Sequence, residues 1–279
     1  MAPGEDDVTR LLNKILATDA VSVVFQPVVE LVGPKLQLHS LECLSRGPRD
    51  TNAARADVMF EYVRRKRVEP LVDRACIFAG LREASKLPGS PRLSFNVHAT
   101  TLGRDPEFPV VFAKMAEGFG ISLSRLTVEI VEHAHGWDGV TFDRALRTLR
   151  GFGARIALDD VGLGHSNYQM MIETHPHYLK LDRYFVHGAH SDPDRRAVLD
   201  SIAQLAVKLG ARVVAEGVEE PRDLWPLADC GIDLIQGFLF AGPLDAAGLI
   251  SAGWLQAPHA EPGSAPVPIH PALCQPGLP

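Results

Sequence analysis

Residues 155–164, RIALDDVGLG, combine two adjacent carboxylates with two glycines. Asp159 and Asp160 follow a short apolar run, and Gly162 and Gly164 come directly after them. Neighbouring side chains of a strand point to opposite faces, so the acidic pair fits the end of a strand better than its middle. There the two carboxylates can share one site, because the glycines let the chain turn tightly. A solvated surface turn is the alternative, and only the rest of the chain can decide between the two.

Seven further segments repeat this arrangement of one ionisable or amide side chain inside an apolar, strand-like run. With the acidic pair's own segment, the eight residues are Gln26, Glu42, Asn96, Glu129, Asp159, Lys180, Glu216 and Gln236. Any one of them alone is compatible with a solvated strand end. In a barrel of parallel strands, however, the carboxyl ends of the strands meet at one pocket, where barrel enzymes keep their catalytic groups. We therefore expect these eight side chains to form one site.

The oxygen donors among these residues predict a hard divalent cation. The candidate metal ligands are Glu42, Asn96, Glu129, Asp159 and Asp160. Carboxylate and amide oxygens suit Mg²⁺ or Mn²⁺ and do not suit a metal that seeks thiolates. Five protein ligands exceed what one Mg²⁺ usually takes, which favours two ions. Two-metal sites activate water for in-line attack on phosphate esters.

Lys180 is the one cation of this set. Among the carboxylates it can hold or deprotonate the attacking water, or stabilise developing charge. A Schiff-base nucleophile is an alternative role, but neighbouring carboxylates raise the pKa of an amine, the wrong direction for a nucleophile. A simple salt-bridge partner is the remaining alternative.

The segments that carry these residues alternate between strand and helix patterns. Strands are predicted over 21–31, 37–47, 92–99, 126–132, 155–160, 178–182, 212–218 and 234–240. Helices are predicted over 6–18, 54–86 with a break near Glu69-Pro70, 106–118, 138–150, 166–174, 194–210, 220–229 and 244–252. Repeated β–α units with short links favour parallel strands joined by right-handed crossovers.

Eight strands predict an α/β, TIM-like (β/α)8 barrel. The Gly33-Pro34 turn predicts that the first two strands form an antiparallel hairpin, so that one strand runs against the other seven. No G-x-G-x-x-G turn opens a helix, which weakens the dinucleotide-binding alternative. We expect residues 1–256 to form the barrel and the Pro-rich residues 257–279 to be an extended or disordered tail.

Composition narrows the class of protein. Of the 279 residues 46% are hydrophobic, enough for a sizeable core, while no apolar stretch approaches the length of a membrane span. The acidic N-terminus lacks the layout of a secretory signal, and the four cysteines contain no C-x-x-C pair. A net charge of −6 argues against a nucleic-acid polymer as partner. A cytoplasmic protein without a membrane segment is the expectation.

The ordered motifs resemble the EAL-domain family, phosphodiesterases that linearise cyclic di-GMP, over roughly residues 8–252. The family's naming motif E-A-L-x-R is present as Glu42-Cys43-Leu44-Ser45-Arg46. The other matching segments are Phe25-Gln26-Pro27, Phe95-Asn96-Val97, Glu129-Ile130-Val131-Glu132, Ala157-Leu158-Asp159-Asp160, Leu179-Lys180-Leu181-Asp182-Arg183, Ala215-Glu216-Gly217-Val218-Glu219 and Gln236-Gly237-Phe238. Each segment alone is a weak signal, but eight in order are specific.

The resemblance implies a barrel with its first strand reversed, two Mg²⁺ or Mn²⁺ ions, a homodimer, and hydrolysis of cyclic di-GMP to linear pGpG. By the resemblance, the first metal's ligands are Glu42, Asn96, Glu129 and Asp159. Asp160 would bind the second metal with Asp159 bridging, and Glu216 would complete the metal and water network. Lys180 matches the lysine that assists the water, and Glu132 the glutamate that steadies the loop after the acidic pair. The substrate-binding positions are matched by Gln26, Leu44, Arg46, Glu219 and Gln236.

The chain departs from the family pattern in two places. Cys43 replaces an alanine, a small-for-small change. The loop after the acidic pair reads Asp-Asp-Val-Gly-Leu-Gly-His-Ser-Asn where active members read D-D-F-G-T-G-Y-S-S. In the family this loop couples the second metal to dimerisation. No metal ligand is lost, but the change keeps an alternative open, a non-catalytic or weakly active cyclic di-GMP receptor that signals through a protein partner.

Overall fold

The structure, a computed structural model, describes residues 5–33, 35–131, 138–162 and 168–256, with side chains described from residue 10 onward. Predictions for Glu132, for residues 163–167 and for the Pro-rich segment 257–279 lie outside the described residues.

Eight strands of the described chain close into one barrel in sequence order, with β8 returning to β1. The strands are β1 (Ser22–Val32), β2 (Lys35–Arg46), β3 (Leu93–His98), β4 (Leu126–Val131), β5 (Arg155–Val161), β6 (Tyr178–Leu181), β7 (Arg212–Ala215) and β8 (Leu234–Gln236). Strand β1 is antiparallel to both β2 and β8, and every other neighbouring pair is parallel. The predicted barrel with one reversed strand is confirmed.

The β1–β2 hairpin sets the register of the first two site residues. Strand β1 is rich in β-branched residues, and Gly33 takes a left-handed conformation with φ 59° that suits a tight hairpin turn. The resulting register places Gln26 opposite Glu42. Both side chains consequently start from the same level of the barrel wall.

Helices surround the barrel. In chain order they are α1 (Glu5–Leu16), α2 (Ala56–Lys66), α3 (Glu69–Ala84), α4 (Ala99–Arg104), α5 (Phe108–Gly118), α6 (Gly139–Gly151), α7 (Tyr168–Thr174), α8 (Arg183–Val186), α9 (Pro193–Leu209), α10 (Leu224–Asp229) and α11 (Ala246–Ser251). The predicted break in segment 54–86 is confirmed, since Arg67 is left-handed (φ 56°) and Pro70 lies in the first turn of α3. The short helices α4 and α8 were not predicted.

The prediction of long final strands was wrong. Strand β7 ends at Ala215 and β8 at Gln236, because the chain segments beyond them pack against each other. The Val218 amide donates to the carbonyl of Gln236 and the Leu239 amide donates to the carbonyl of Val218, at 3.1 and 3.0 Å. A Cβ on Gly237 would lie 2.0 Å from the Val218 carbonyl oxygen. Only glycine fits this crossing, and it ends β8.

The last helix also begins later than predicted. Leu244 is extended and exchanges both backbone hydrogen bonds with Phe25 of β1, at 2.7 and 2.8 Å. Asp245 then caps α11 by accepting from the Gly248 amide at 2.7 Å. This segment therefore seals the barrel beside β1 before the helix starts.

The hydrophobic core has two parts. The larger part fills the layer between the strands and the surrounding helices. The smaller lies inside the barrel and consists of Val28, Ala157, Tyr178, Val214 and Leu234. Each of these five residues precedes a polar residue of the predicted site by two positions in a parallel strand, or follows it by two in the reversed β1. Because strand side chains alternate, the polar residues lie directly above this apolar floor.

None of the helices in the described ranges combines the length and the apolar character needed to cross a membrane. Of the cysteines in those ranges, Cys43, Cys76 and Cys230 are free thiols.

Candidate active site

The acidic pair lies in a β-bulge of β5 rather than in a turn after the strand. The register against β6 shifts between Leu158 and Val161, and Asp160 adopts a left-handed conformation with φ 51°. A bulge inserts an extra residue and re-aims the side chains around it, and aspartate tolerates the left-handed region better than most residues. Strand β5 runs one residue further than predicted, to Val161, so the pair lies at the strand end as expected. The bulge explains how two successive carboxylates reach one site within a strand.

Lys180 lies at the centre of the site. Its side chain is 3% exposed, and Nζ contacts one oxygen of each of four carboxylates. The Nζ–oxygen distances are 2.6 Å to Glu129, 2.8 Å to Glu216, 3.2 Å to Asp159 and 3.4 Å to Glu42. The predicted convergence of strand-end residues is confirmed for this group.

Two amide side chains fix Glu42 from either side. Asn96 Nδ2 donates to Oε1 of Glu42 at 2.7 Å, and Gln236 Nε2 donates to Oε2 at 2.7 Å. Both carboxylate oxygens therefore have defined partners from β3 and β8. Gln26, beside Glu42 in the register, donates through Nε2 to the Ala241 carbonyl at 3.2 Å.

The charges of this group do not balance. Burial raises the pKa of Glu129 to about 8, and the Glu42 carboxylate adds to this rise. Burial likewise raises the pKa of Glu216 well above its ordinary value. For Glu42 burial acts in the same direction, but Lys180 and the two amide donors outweigh it, so its pKa is lowered. Four carboxylates share one ammonium, so their ionised forms together would carry an excess of negative charge, and the raised pKa values of Glu129 and Glu216 reflect this repulsion as well as burial.

For Lys180 itself, burial alone would lower the pKa. The surrounding carboxylates, led by Asp159 and Glu129, outweigh burial and raise the pKa of Lys180 well above its ordinary value. The carboxylates thus favour the ammonium form of Lys180, which donates hydrogen bonds.

The site fits divalent cations by its donor set. Carboxylate oxygens of Asp159, Asp160 and Glu216 lie within 4.8 Å of one another, close enough to hold one metal ion. The Oδ1 atom of Asn96 is buried without a hydrogen-bond partner among the described residues. A cation would satisfy this acceptor and offset the excess negative charge. All these donors are oxygens, as Mg²⁺ and Mn²⁺ prefer.

Two cavities meet at this site, and Asp159 lines both of them. The first, called here the Lys180 cavity, has a volume of about 300 Å³ and is lined by Gln26, Glu42, Asp159, Lys180, Asp182, Arg183, Glu216, Gly217, Glu219, Gln236, Gly237 and Phe238. The second, called here the Arg46 cavity, also has about 300 Å³ and includes Leu44, Arg46 and Asn96 in its lining. The five predicted substrate-binding residues are thus divided between two adjoining cavities.

Sequence reasoning missed several residues of these cavities. Arg183 and Phe238 line the Lys180 cavity, and Phe238 is 66% exposed at its rim. Arg183 and Phe238 belong to the matching segments that contain Lys180 and Gln236, so their closeness in sequence to these two residues could have identified them. Phe60 and His98 line the Arg46 cavity. His98 follows Asn96 by two positions in β3, which places both on one face of the strand.

Comparison with known families matches residues 9–243 to the family described as EAL domain. Among curated relatives, the cyclic di-GMP phosphodiesterase RocR of Pseudomonas aeruginosa is 33% identical over 58% of this chain and 41% of its own length. The cyclic di-GMP phosphodiesterase NbdA of the same species is 30% identical over 85% of this chain and 31% of its own length. The chain thus spans less than half the length of these relatives.

Solved structures show the same fold. A calcium and cyclic di-GMP complex of BlrP1 from Klebsiella pneumoniae has a TM-score of 0.71 at 26% identity, covering 88% of this chain and 59% of that chain. A standalone EAL protein from Vibrio cholerae O395, bound to c-di-GMP, has a TM-score of 0.71 at 22% identity over 82% of this chain and 95% of that chain. The second likeness supports the fold alone.

Proposed function

The chain belongs to the EAL domain family, and from that premise we propose that it is a metal-dependent phosphodiesterase that hydrolyses cyclic di-GMP to linear 5′-pGpG. The observation that carries the proposal is the position of Lys180, within 3.4 Å of four carboxylates at the mouth of the barrel. This cluster adjoins two cavities of nucleotide size. The relatives RocR and NbdA are cyclic di-GMP phosphodiesterases, which supports the same substrate here.

We propose two divalent ions, Mg²⁺ or Mn²⁺, bound by oxygen donors of this site. Glu42, Asn96, Glu129 and Asp159 would hold the first. Asp160, Asp159 and Glu216 would hold the second, since their oxygens already lie within 4.8 Å of one another. The chemistry that such ions supply when bound is activation of a water molecule for in-line attack on phosphorus.

The protein's own groups orient the reactants. Hydrolysis adds the water oxygen to phosphorus and breaks the bond from phosphorus to a 3′ oxygen, which takes up a proton. Lys180 donates hydrogen bonds to the water or the phosphate oxygens and offsets the charge that develops there. Arg46 can pair two phosphate oxygens, because its guanidinium is planar and forked. Of the roles considered for Lys180, the ammonium form favours positioning the water over deprotonating it.

Substrate binding is proposed to use both cavities. Gln26, Glu219 and Gln236 would contact one nucleotide from the Lys180 cavity. Leu44 and Arg46 would contact the other from the Arg46 cavity. Asp159, which lines both cavities, would then lie beneath the scissile phosphate. Glu132 is proposed to steady the loop after the acidic pair.

The test is product formation by the purified chain with Mg²⁺ or Mn²⁺. Cyclic di-GMP should be converted to pGpG, resolved by chromatography. Glu42→Ala and the isosteric Glu42→Gln should abolish conversion, while Glu117→Gln, at an exposed position on α5, should not. Binding without conversion by either metal would instead favour a receptor. If the chain neither binds cyclic di-GMP nor converts it, the proposed function is wrong.

We also propose a homodimer. The helix that follows the acidic pair, α7, exposes Tyr168 and Ile172 at 69% and 62% of their surface. Exposed large apolar side chains on one helix are typical of a protein contact. Sedimentation should give a dimer mass, and Tyr168→Ser with Ile172→Ser should give a monomer. A monomeric parent chain would contradict this proposal.

A further inference from the structure

The Arg46 cavity has the lining of a small-molecule binding site, mostly apolar with a few polar groups. Its wall includes the apolar side chains of Leu44, Phe60, Ile77, Phe95 and Val131. Small-molecule sites are mostly apolar with a few polar groups that fix orientation. His98 is the last residue of β3 and lies on this wall together with Asn96, a proposed metal ligand.

A buried carboxylate holds the His98 ring in place. Nδ1 of His98 lies 2.8 Å from Oδ1 of Asp73, which is itself 1% exposed. The second oxygen of Asp73 accepts from the backbone amide of His98 at 3.0 Å and from the Thr101 hydroxyl at 2.6 Å. Asp73 on α3 therefore binds the end of β3 and the start of α4 together.

These contacts orient one ring nitrogen of His98. With Nδ1 at the carboxylate, Nε2 is the ring nitrogen for which the described residues supply no hydrogen-bond partner, and His98 is part of the cavity wall. A ring whose orientation is locked by a neighbouring carboxylate loses little freedom when it binds a ligand, which is how functional histidines are held. The Phe60 ring, with its centroid 5.5 Å from that of His98, further restricts the imidazole.

We infer that His98 hydrogen-bonds, through Nε2, the polar edge of the base of the nucleotide proposed above to occupy the Arg46 cavity, with Asp73 as positioning residue. This inference rests on the proposed function for the identity of the ligand. It assigns a base-recognition role to a residue outside the catalytic cluster. Asp73 acts only through His98.

Paired variants separate the role of each ring nitrogen. In His98→Asn, the amide nitrogen takes the place of Nδ1, so the contact with Asp73 is kept and Nε2 is lost. His98→Gln extends to the position of Nε2 but leaves Asp73 without that partner. The matched control is His39→Asn, at another histidine with a buried side chain, whose Nδ1 lies 3.4 Å from a carboxylate oxygen of Glu30.

The primary measurement is calorimetric titration of each variant chain with cyclic di-GMP in EDTA. Loss of one hydrogen bond is expected to weaken binding roughly three- to tenfold for His98→Asn. His39→Asn should bind as the parent chain does, and His98→Gln should recover part of the loss. With metal present, KM should rise by the same factor while kcat changes less than about twofold. In His98→Asn, the preference for cyclic di-GMP over cyclic di-AMP, measured by competition, should also be smaller than in the parent.

The outcomes are distinct from those of the proposed function. If His98→Asn binds cyclic di-GMP as tightly as the parent while its melting temperature falls like that of His39→Asn, the histidine is structural and the inference is overturned. Absence of any binding by the parent chain also overturns it. A parent that binds without producing pGpG refutes the proposed activity but leaves the binding comparison decisive.

Discussion

Replacing Lys180 by methionine removes the positive charge at the centre of the site with little change in side-chain length. In the parent, Nζ contacts four carboxylate oxygens at 2.6–3.4 Å. Loss of one preorganised donor to developing charge typically costs about 10²–10³ in kcat. We expect Lys180→Met to lose activity by that factor at least, because the same ammonium also spaces the carboxylates.

The substitution also has a calculable effect on stability. Removing one partner of a buried ion pair typically lowers the free energy of unfolding by about 3–5 kcal/mol. The lower limit applies here, since Glu129, whose pKa is about 8 even beside Lys180, is already largely protonated near neutral pH and leaves no unpaired charge when the lysine is lost. At about 2–4 °C for each kcal/mol, about 3 kcal/mol corresponds to a fall of about 6–12 °C in Tm. Mn²⁺ should recover much of this loss, because the cation replaces the missing positive charge.

Differential scanning fluorimetry in EDTA and in Mn²⁺ measures both effects, with kcat from product formation alongside. Lys208→Met, an exposed lysine of α9, is the control for loss of a lysine as such. An unchanged Tm in EDTA, or an Mn²⁺-induced gain in Tm no larger in Lys180→Met than in the parent, would refute the electrostatic account of the site.

Three further predictions follow from the same geometry. The pKa of Glu129 is higher in the folded chain than its ordinary 4.5. The contribution of this group to the stability of the fold is therefore fully present below about pH 4.5 and is lost as pH rises through about 8. The Tm in EDTA should therefore fall across this range and should fall less in Mn²⁺; a Tm that rises from pH 5 to 8 in EDTA would contradict this. Asp160→Asn should raise the Mn²⁺ concentration at the midpoint of the Tm shift by at least about tenfold. An unchanged midpoint would show that Asp160 does not bind the metal. Gly237→Ala places a Cβ 2.0 Å from the Val218 carbonyl oxygen, so it should lower the free energy of unfolding by about 1–3 kcal/mol. It should also lower kcat/KM by moving Gln236. A variant with the Tm and kcat/KM of the parent would contradict the tight crossing.

The sequence was sufficient to predict the barrel and the convergence of its polar residues. Strand periodicity and β–α alternation depend on local patterns, and barrel closure then requires strand-end residues to meet. Glu42, Glu129 and Lys180 follow this logic directly. Their contacts in the structure confirm it.

Features that depend on packing between distant segments could not be read from local patterns. The left-handed Asp160 and the bulge around it arise from pairing with β6, so the sequence predicted the strand end but not the bulge. The early end of β8 arises from contact with Val218, eighteen residues before Gln236. The support of His98 by Asp73 joins residues 25 positions apart on different elements.

Hydrolysis of cyclic di-GMP in H₂¹⁸O with Mn²⁺ tests the central claim most directly. The account predicts pGpG as the product, with one ¹⁸O atom in its 5′-phosphate by mass spectrometry, and no product from Glu42→Gln. Metal-saturated chain that binds cyclic di-GMP and forms no pGpG, or a product without the label on phosphorus, would contradict it.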